Sequence, residues 1–350
     1  MRKVFSLLAF IVLLNSCQES PDYALLSGNV VNPRTEIITI LDGREKLQEI
    51  VIKEDGSFAD TLKVGPGYYR LAHGNESSTM YIAPGYDLYL ELNTSEFDES
   101  LKYSGDGSEV NNYLAAKYLA NEKSVGDIPT HYSLEEKAYS EKVLAMKNEN
   151  LKSLEEAGVI DENFQSLETR NLEYEYVGLL TRYETYHKYY TKQDDFEASE
   201  DFLSDDIEQM VFDDVEAYEN IPSYKSLANN LVSTRIFNAI GEDYQSASVD
   251  HFKALDAVEI PQLKKDVIST QGVFLISPAN PNMKALYEYF ISNLDDEELK
   301  QSLSTKFDKN KSLLRGMPSP VFVDYENHKG GTTSLEDLKG KYVYIDVWAT

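Results

Sequence analysis

The chain has a single cysteine among its 350 residues, so no disulfide can form within it. Basic residues are few: 33 Lys and Arg stand against 60 Asp and Glu, for a net charge of -27. That balance argues against a nucleic-acid partner, which needs cationic grooves that release counterions, and against a basic surface that adheres to anionic lipid. No apolar run reaches the roughly 20 residues that a membrane-crossing helix needs. Conventional catalytic signatures are missing too, since there is no H-E-x-x-H, G-x-S-x-G, P-loop or G-x-G-x-x-G. The five histidines (His73, His131, His187, His251 and His328) are scattered without metal-ligand spacing. Each reads as a surface or rim residue, and neither a metal nor a cofactor is expected. What is present is core material: 42% hydrophobic and 11% aromatic residues, too much for a disordered acidic chain and enough for several domains.

The cysteine is explained by its position. Arg2 and Lys3 form a short basic tip, and Val4 to Leu14 are apolar apart from Ser6. A basic tip, a short apolar stretch and small residues make an export signal. The stretch ends Leu14-Asn15-Ser16-Cys17, which resembles the lipobox of bacterial lipoproteins. The resemblance implies that residues 1–17 are signal peptide and lipobox, that Cys17 is acylated, and that the rest lies in water outside the cytoplasm. Several acyl chains, at about 0.8 kcal/mol per buried CH₂, would hold even an acidic chain on a membrane.

Residues 22–104 read as an all-β, sandwich-like module. Apolar and polar residues alternate in Glu36–Leu41, Glu49–Lys53, Tyr68–Ala72, Thr79–Ala83 and Asp87–Leu92. Turn signals separate them at Asn32-Pro33, Asp42-Gly43, Asp55-Gly56, Gly65-Pro66-Gly67, Gly74-Asn75 and Pro84-Gly85. Asp55-Gly56 is expected to supply the positive φ of a tight hairpin.

Near Ser108 the period changes to about 3.6, and residues 108–311 read as a central all-α domain. Val110, Leu114 and Tyr118 form a stripe behind a Ser108 cap, and Ser133 with Glu136 has the spacing of a capping box. A long helix is predicted from about Asp161 to Tyr190. Its tyrosines Tyr176, Tyr183, Tyr186 and Tyr190, with His187 beside them, read as a packed face with hydroxyls at polar rims rather than a ligand cleft. The acidic stretch from Asp194 to Glu219 lacks the D-x-D-x-D-G pattern of a calcium loop and reads as a solvated helix face.

The C-terminal residues 316–350 carry the functional information. Gly316-Met317-Pro318-Ser319-Pro320 leads into Val321–Asp324, expected to be a short strand, and a polar turn through Asn327–Gly331. Ser334–Leu338 can form one capped helical turn stopped by Gly340. Tyr342–Thr350 reads as a continuous buried strand. The ordered elements G-x-P-x-P, L-x-D-L-K-G-K (Leu335–Lys341) and D-x-W-A-T (Asp346–Thr350) resemble the opening of thioredoxin-like domains of the TlpA/ResA group, extracytoplasmic thiol-disulfide oxidoreductases. More loosely, the run Ser104–Leu114 (S-G-D-G-S-E-V-N-N-Y-L) and Ala83-Pro84-Gly85 resemble the N-terminal parts of Bacteroidetes lipoproteins that carry such a domain.

The resemblance implies an α/β thioredoxin-like fold beginning at residue 316, with W-C-x-x-C following the D-x-W-A-T strand. About 35 residues bury too little surface to stand alone, so the natural chain is expected to continue past Thr350 into the redox motif. The resemblance also implies that Asp346 is a proton relay for the resolving cysteine, a role favoured over that of an edge carboxylate in water. Trp348 is expected either close to the disulfide or in plain core packing. The expected activity is reduction of protein disulfides at the cell envelope, in the periplasm or outside. The alternative is a non-enzymatic envelope lipoprotein whose modules bind a partner or a glycan.

Overall fold

A computed structural model of the protein describes residues 21–204, 207 and 210–344. The chain divides into two compact units, the first running through Leu203 and including Asn220–Ser223, the second made of Ser204–Glu219 and Tyr224–Thr350. The division therefore does not follow the change of period near residue 108: the first helices belong to the same unit as the β module.

The β module holds eight strands: β1 (Ala24–Val31), β2 (Ile37–Asp42), β3 (Glu45–Val51), β4 (Ser57–Leu62), β5 (Gly67–His73), β6 (Glu76–Ile82), β7 (Asp87–Asn93) and β8 (Lys102–Asp106). They form two four-stranded sheets ordered β4-β1-β7-β8 and β3-β2-β5-β6. All pairs are antiparallel except β1 with β7, which run parallel with Leu26 opposite Leu88. Alternation decides which side chains go inside. In β7, Leu88, Leu90 and Leu92 are buried while Asp87, Tyr89 and Glu91 face out. They meet Ile38, Ile40, Leu71 and Met80 of the other sheet in one cluster.

Gly56 does adopt positive φ, at +82°, but β3 and β4, which it joins, belong to different sheets. Asp55-Gly56 thus forms a tight turn, with Gly56 N–H donating to the Lys53 carbonyl and Lys53 N–H to the Ser57 carbonyl, each at 2.9 Å, as the chain crosses from one sheet to the other. Strands β4 and β8 escape the alternation rule for a physical reason. In β4 the polar Ser57, Asp60 and Thr61 share six positions with only two buried residues, and β8 buries Tyr103 alone.

Helix α1 (Phe97–Ser100) is a single turn, and α2 (Ser108–Val125) follows β8. Gly107, not Ser108, precedes the first helical residue of α2, at φ +88°. Val110, Tyr113, Leu114 and Lys117 are its buried i, i+3, i+4, i+7 face, while Tyr118 is exposed. The Ser133/Glu136 capping box does not form. Asp127 caps α3 (Ile128–Tyr132) by accepting from Thr130 N–H at 3.0 Å, and Ser133 ends that helix with its hydroxyl on the Pro129 carbonyl at 2.7 Å. Glu136, at the start of α4 (Glu136–Glu156), instead accepts from the Ser199 N–H and hydroxyl, each at 2.7 Å. The long helix α5 (Glu162–Thr191) is as expected, capped by Asp161, which accepts from Phe164 N–H at 2.8 Å.

The acidic stretch is a correction. Residues 194–204 and 210–214 are irregular, while Ile207 and α6 (Val215–Asn220) are helical. Like charges one turn apart disfavour a helix, and no Lys or Arg lies between Asp194 and Glu219 to offset them. The second unit continues with the helix Pro222–Ile240 from Tyr224 onward and with Pro261–Val267, Met283–Ser292 and Glu297–Lys311, and it buries Phe252, Leu263, Ile268, Leu286 and Phe290. No helix among the described residues is long and apolar enough to cross a membrane.

Candidate functional site

Cys17, Asp346 and Trp348 lie outside the described residues. The segment leading to the last two is described as far as Tyr344. Ser334 caps a 3₁₀ turn over Leu335–Leu338, with Asp337 Oδ2 accepting from the Ser334 N–H at 2.9 Å. The same serine hydroxyl accepts from Asp324 N–H at 3.0 Å, and Leu335 N–H donates to the Phe322 carbonyl at 3.0 Å. Gly340 then turns the chain at φ +77°. A two-residue ribbon pairs Tyr325–Glu326 with Thr332–Thr333 around the polar turn. Val321–Asp324, expected as a strand, is not one: Val321 and Val323 are exposed, as are Tyr342 and Tyr344. A strand is stable only with a backbone neighbour, and among the described residues nothing in this segment but the short ribbon supplies one.

Elsewhere the densest polar constellation is a hub on Glu168, whose side chain has no exposed surface. Its Oε1 accepts from Lys117 Nζ at 2.6 Å and from the Tyr113 hydroxyl at 3.1 Å. Its Oε2 accepts from the Tyr68 hydroxyl at 2.6 Å and from Asn171 Nδ2 at 3.1 Å. Lys117 also reaches Glu175 at 3.0 Å, and Asn171 bridges to the same carboxylate at 3.0 Å. Burial pulls the Lys117 ammonium down, but Glu168 and Glu175 together outweigh it and hold it above the ordinary lysine range. Burial first, then the Glu168 charge, push the Tyr68 and Tyr113 phenols up, so both remain donors. One residue of β5, two of α2 and one of α5 thus converge on a single carboxylate.

This hub fastens β5, α2 and α5 to one another. The nearby cavity, lined by Asn121, Asn150, Leu172, Glu175 and Tyr176 among others, has about 30 Å³ of space. That suffices for about one water, whereas ligand sites occupy roughly 300–1,000 Å³. Sequence reasoning missed the hub because its members are far apart in the chain. The available signal was a lysine at the i+7 position of an otherwise apolar stripe.

Of the tyrosine stripe, Tyr183 is packed as read from the sequence, Tyr176 and Tyr190 are half-buried, and Tyr186 is exposed. The Tyr183 hydroxyl donates to the Leu134 carbonyl at 2.7 Å, and Tyr186 stacks on Tyr132 with centroids 4.6 Å apart. His187 Nδ1 lies 2.8 Å from the Tyr132 carbonyl, and Lys147 sits 4.8 Å over the Tyr176 ring. The histidines are a correction: His73, His131 and His187 are buried, not at a rim. His131 packs against Tyr132 and Tyr139, and neither ring nitrogen has a hydrogen-bond partner. Burial, with a smaller push from Lys142, lowers its pKa to about 4, so it is neutral at pH 7. Among the described residues no group of three or more His, Cys, Asp or Glu is placed to hold a metal ion. Comparison with protein-family models, with curated proteins and with solved structures finds no match to this chain.

Proposed function

We propose that this chain is the N-terminal portion of a membrane-anchored, extracytoplasmic thiol-disulfide oxidoreductase of the TlpA/ResA type, tethered through a lipid on Cys17 and reducing protein disulfides. The observation that carries the reading is the ordered run G-x-P-x-P, L-x-D-L-K-G-K and D-x-W-A-T within residues 316–350. Local geometry supports it: the L-x-D-L-K-G-K stretch is a capped turn that Gly340 stops just before the apolar segment begins.

In this reading the segment from Tyr342 to Thr350 is a central strand that presents a C-x-x-C pair at the start of the next helix. There the helix dipole and free N–H groups stabilise a thiolate, the attacking species. The thiolate opens a client disulfide to a mixed disulfide, and the second cysteine resolves it. The enzyme's two thiols end as a disulfide while the client gains two thiols, so a reductant must restore the enzyme. Asp346, in an apolar strand, would hold the proton of the resolving cysteine near neutrality, because desolvation raises a carboxyl pKa.

The test is to read the encoded sequence past Thr350. W-C-x-x-C directly after the threonine is expected. Its absence overturns the oxidoreductase and leaves a lipid-anchored scaffold.

A further inference from the structure

The end of the sandwich formed by β6 and β8 is closed by two adjacent side chains of α2. Asn111 Oδ1 accepts from the Tyr81 N–H at 2.9 Å, and Asn111 Nδ2 donates to the Tyr81 carbonyl at 2.9 Å. Asn112 repeats the arrangement on Tyr103, accepting from its N–H and donating to its carbonyl, each at 2.8 Å. Tyr81 lies on β6, the outermost strand of one sheet, and Tyr103 on β8, the outermost strand of the other. A carboxamide presents an acceptor oxygen beside an N–H donor, as a facing strand does, and the second N–H of Asn111 donates to the Gly107 carbonyl at 3.1 Å. Each asparagine therefore stands in for a further strand at one position. Consecutive helical residues point about 100° apart, which suits a helix lying between two sheet edges.

The opposite end of the sandwich is handled differently. The outer strand β3 carries Glu45, Lys46 and Glu49, charges that blunt an edge against pairing. Strand β6 reads Glu-Ser-Ser-Thr-Met-Tyr-Ile, with a single charge at its first position. Uncovered, it would be a nearly neutral edge able to pair antiparallel with the same strand of another molecule.

We propose that the Asn111-Asn112 tandem is an edge-closing device, and that the partner it excludes is a second copy of this chain, pairing through β6. The test uses the full chain in a Cys17→Ala background carrying Asn111→Leu and Asn112→Leu. Sedimentation velocity at micromolar concentration is expected to show at least a doubling of mass over the parent. With Thr79→Cys added, an intermolecular disulfide is expected in the double variant and not in the parent. A folded double variant that stays monomeric overturns the proposal. If the double variant does not fold, hydrogen exchange on the unaltered chain decides. The Tyr81 and Tyr103 amides are expected to exchange at least tenfold more slowly than that of Thr79, which faces the same way on β6. Equal rates overturn the proposal.

Discussion

Lys117 Nζ lies 2.6 Å from Glu168 Oε1 at a point where the glutamate has no contact with solvent. Removing one member of such a pair leaves a buried charge without its partner, which costs about 3–5 kcal/mol. Lys117→Met is therefore expected to lower the urea unfolding free energy of the first unit by about that amount. Lys117→Met combined with Glu168→Gln is expected to recover part of the loss, because the stranded charge is gone while an acceptor oxygen remains for Tyr68, Tyr113 and Asn171. A double variant no better than the single would show that packing, not charge pairing, sets the cost.

His131 supplies a pH prediction. Its folded pKa of about 4 lies below the ordinary 6.5, so the unfolded chain takes up the proton first as pH falls. Stability is lost from about pH 6.5 down to about pH 4 and the loss then levels off, amounting to about 3 kcal/mol. His131→Phe keeps an aromatic ring against Tyr132 and Tyr139 and is expected to remove that part of the acid sensitivity. Unfolding curves at pH 7 and pH 4.5, for both proteins, measure it; parallel losses would contradict it.

Gly105 and Gly107 sit at φ +91° and +88° where the chain passes from β8 into α2. A Cβ on Gly105 would come 2.0 Å from the Asp87 carbonyl oxygen, and one on Gly107 would come 2.2 Å from the Tyr86 ring. Alanine at either position is expected to cost at least about 2 kcal/mol, by backbone strain and collision together. Gly43→Ala is the control: it has positive φ but open space around it, and is expected to cost about 1 kcal/mol. Similar melting temperatures for Gly43→Ala and Gly105→Ala would refute the collision argument.

The glycine and asparagine findings show what the sequence discloses and what it withholds. Periodicity, turn residues and caps located the β module, the long helix from Asp161 and the capped turn at Ser334, since each depends on neighbours within a few residues. The run Ser104–Leu114 was visible as a pattern, but its reasons were not. Gly105 answers to Asp87, Asn111 to Tyr81, Tyr113 to Glu168, and no local rule links positions so far apart. The same distance hides the failure of the Ser133/Glu136 box, because Ser199 claims Glu136. It also hides the burial of His73, His131 and His187.

Lipidation makes a simpler prediction. Cys17→Ala is expected to move the expressed protein from the membrane to the soluble fraction, read by fractionation and by loss of acyl label. Unchanged partitioning with no label in either protein would remove the anchor from the account.

The central claim is thiol-disulfide exchange, and insulin reduction tests it most directly. Residues 1–350 alone are expected to give no turnover. The protein that includes the expected C-x-x-C is expected to reduce insulin in the presence of a thiol reductant, and to lose that activity when the first cysteine of the pair becomes serine. No turnover by that longer protein, or turnover that survives the cysteine-to-serine change, would contradict the account.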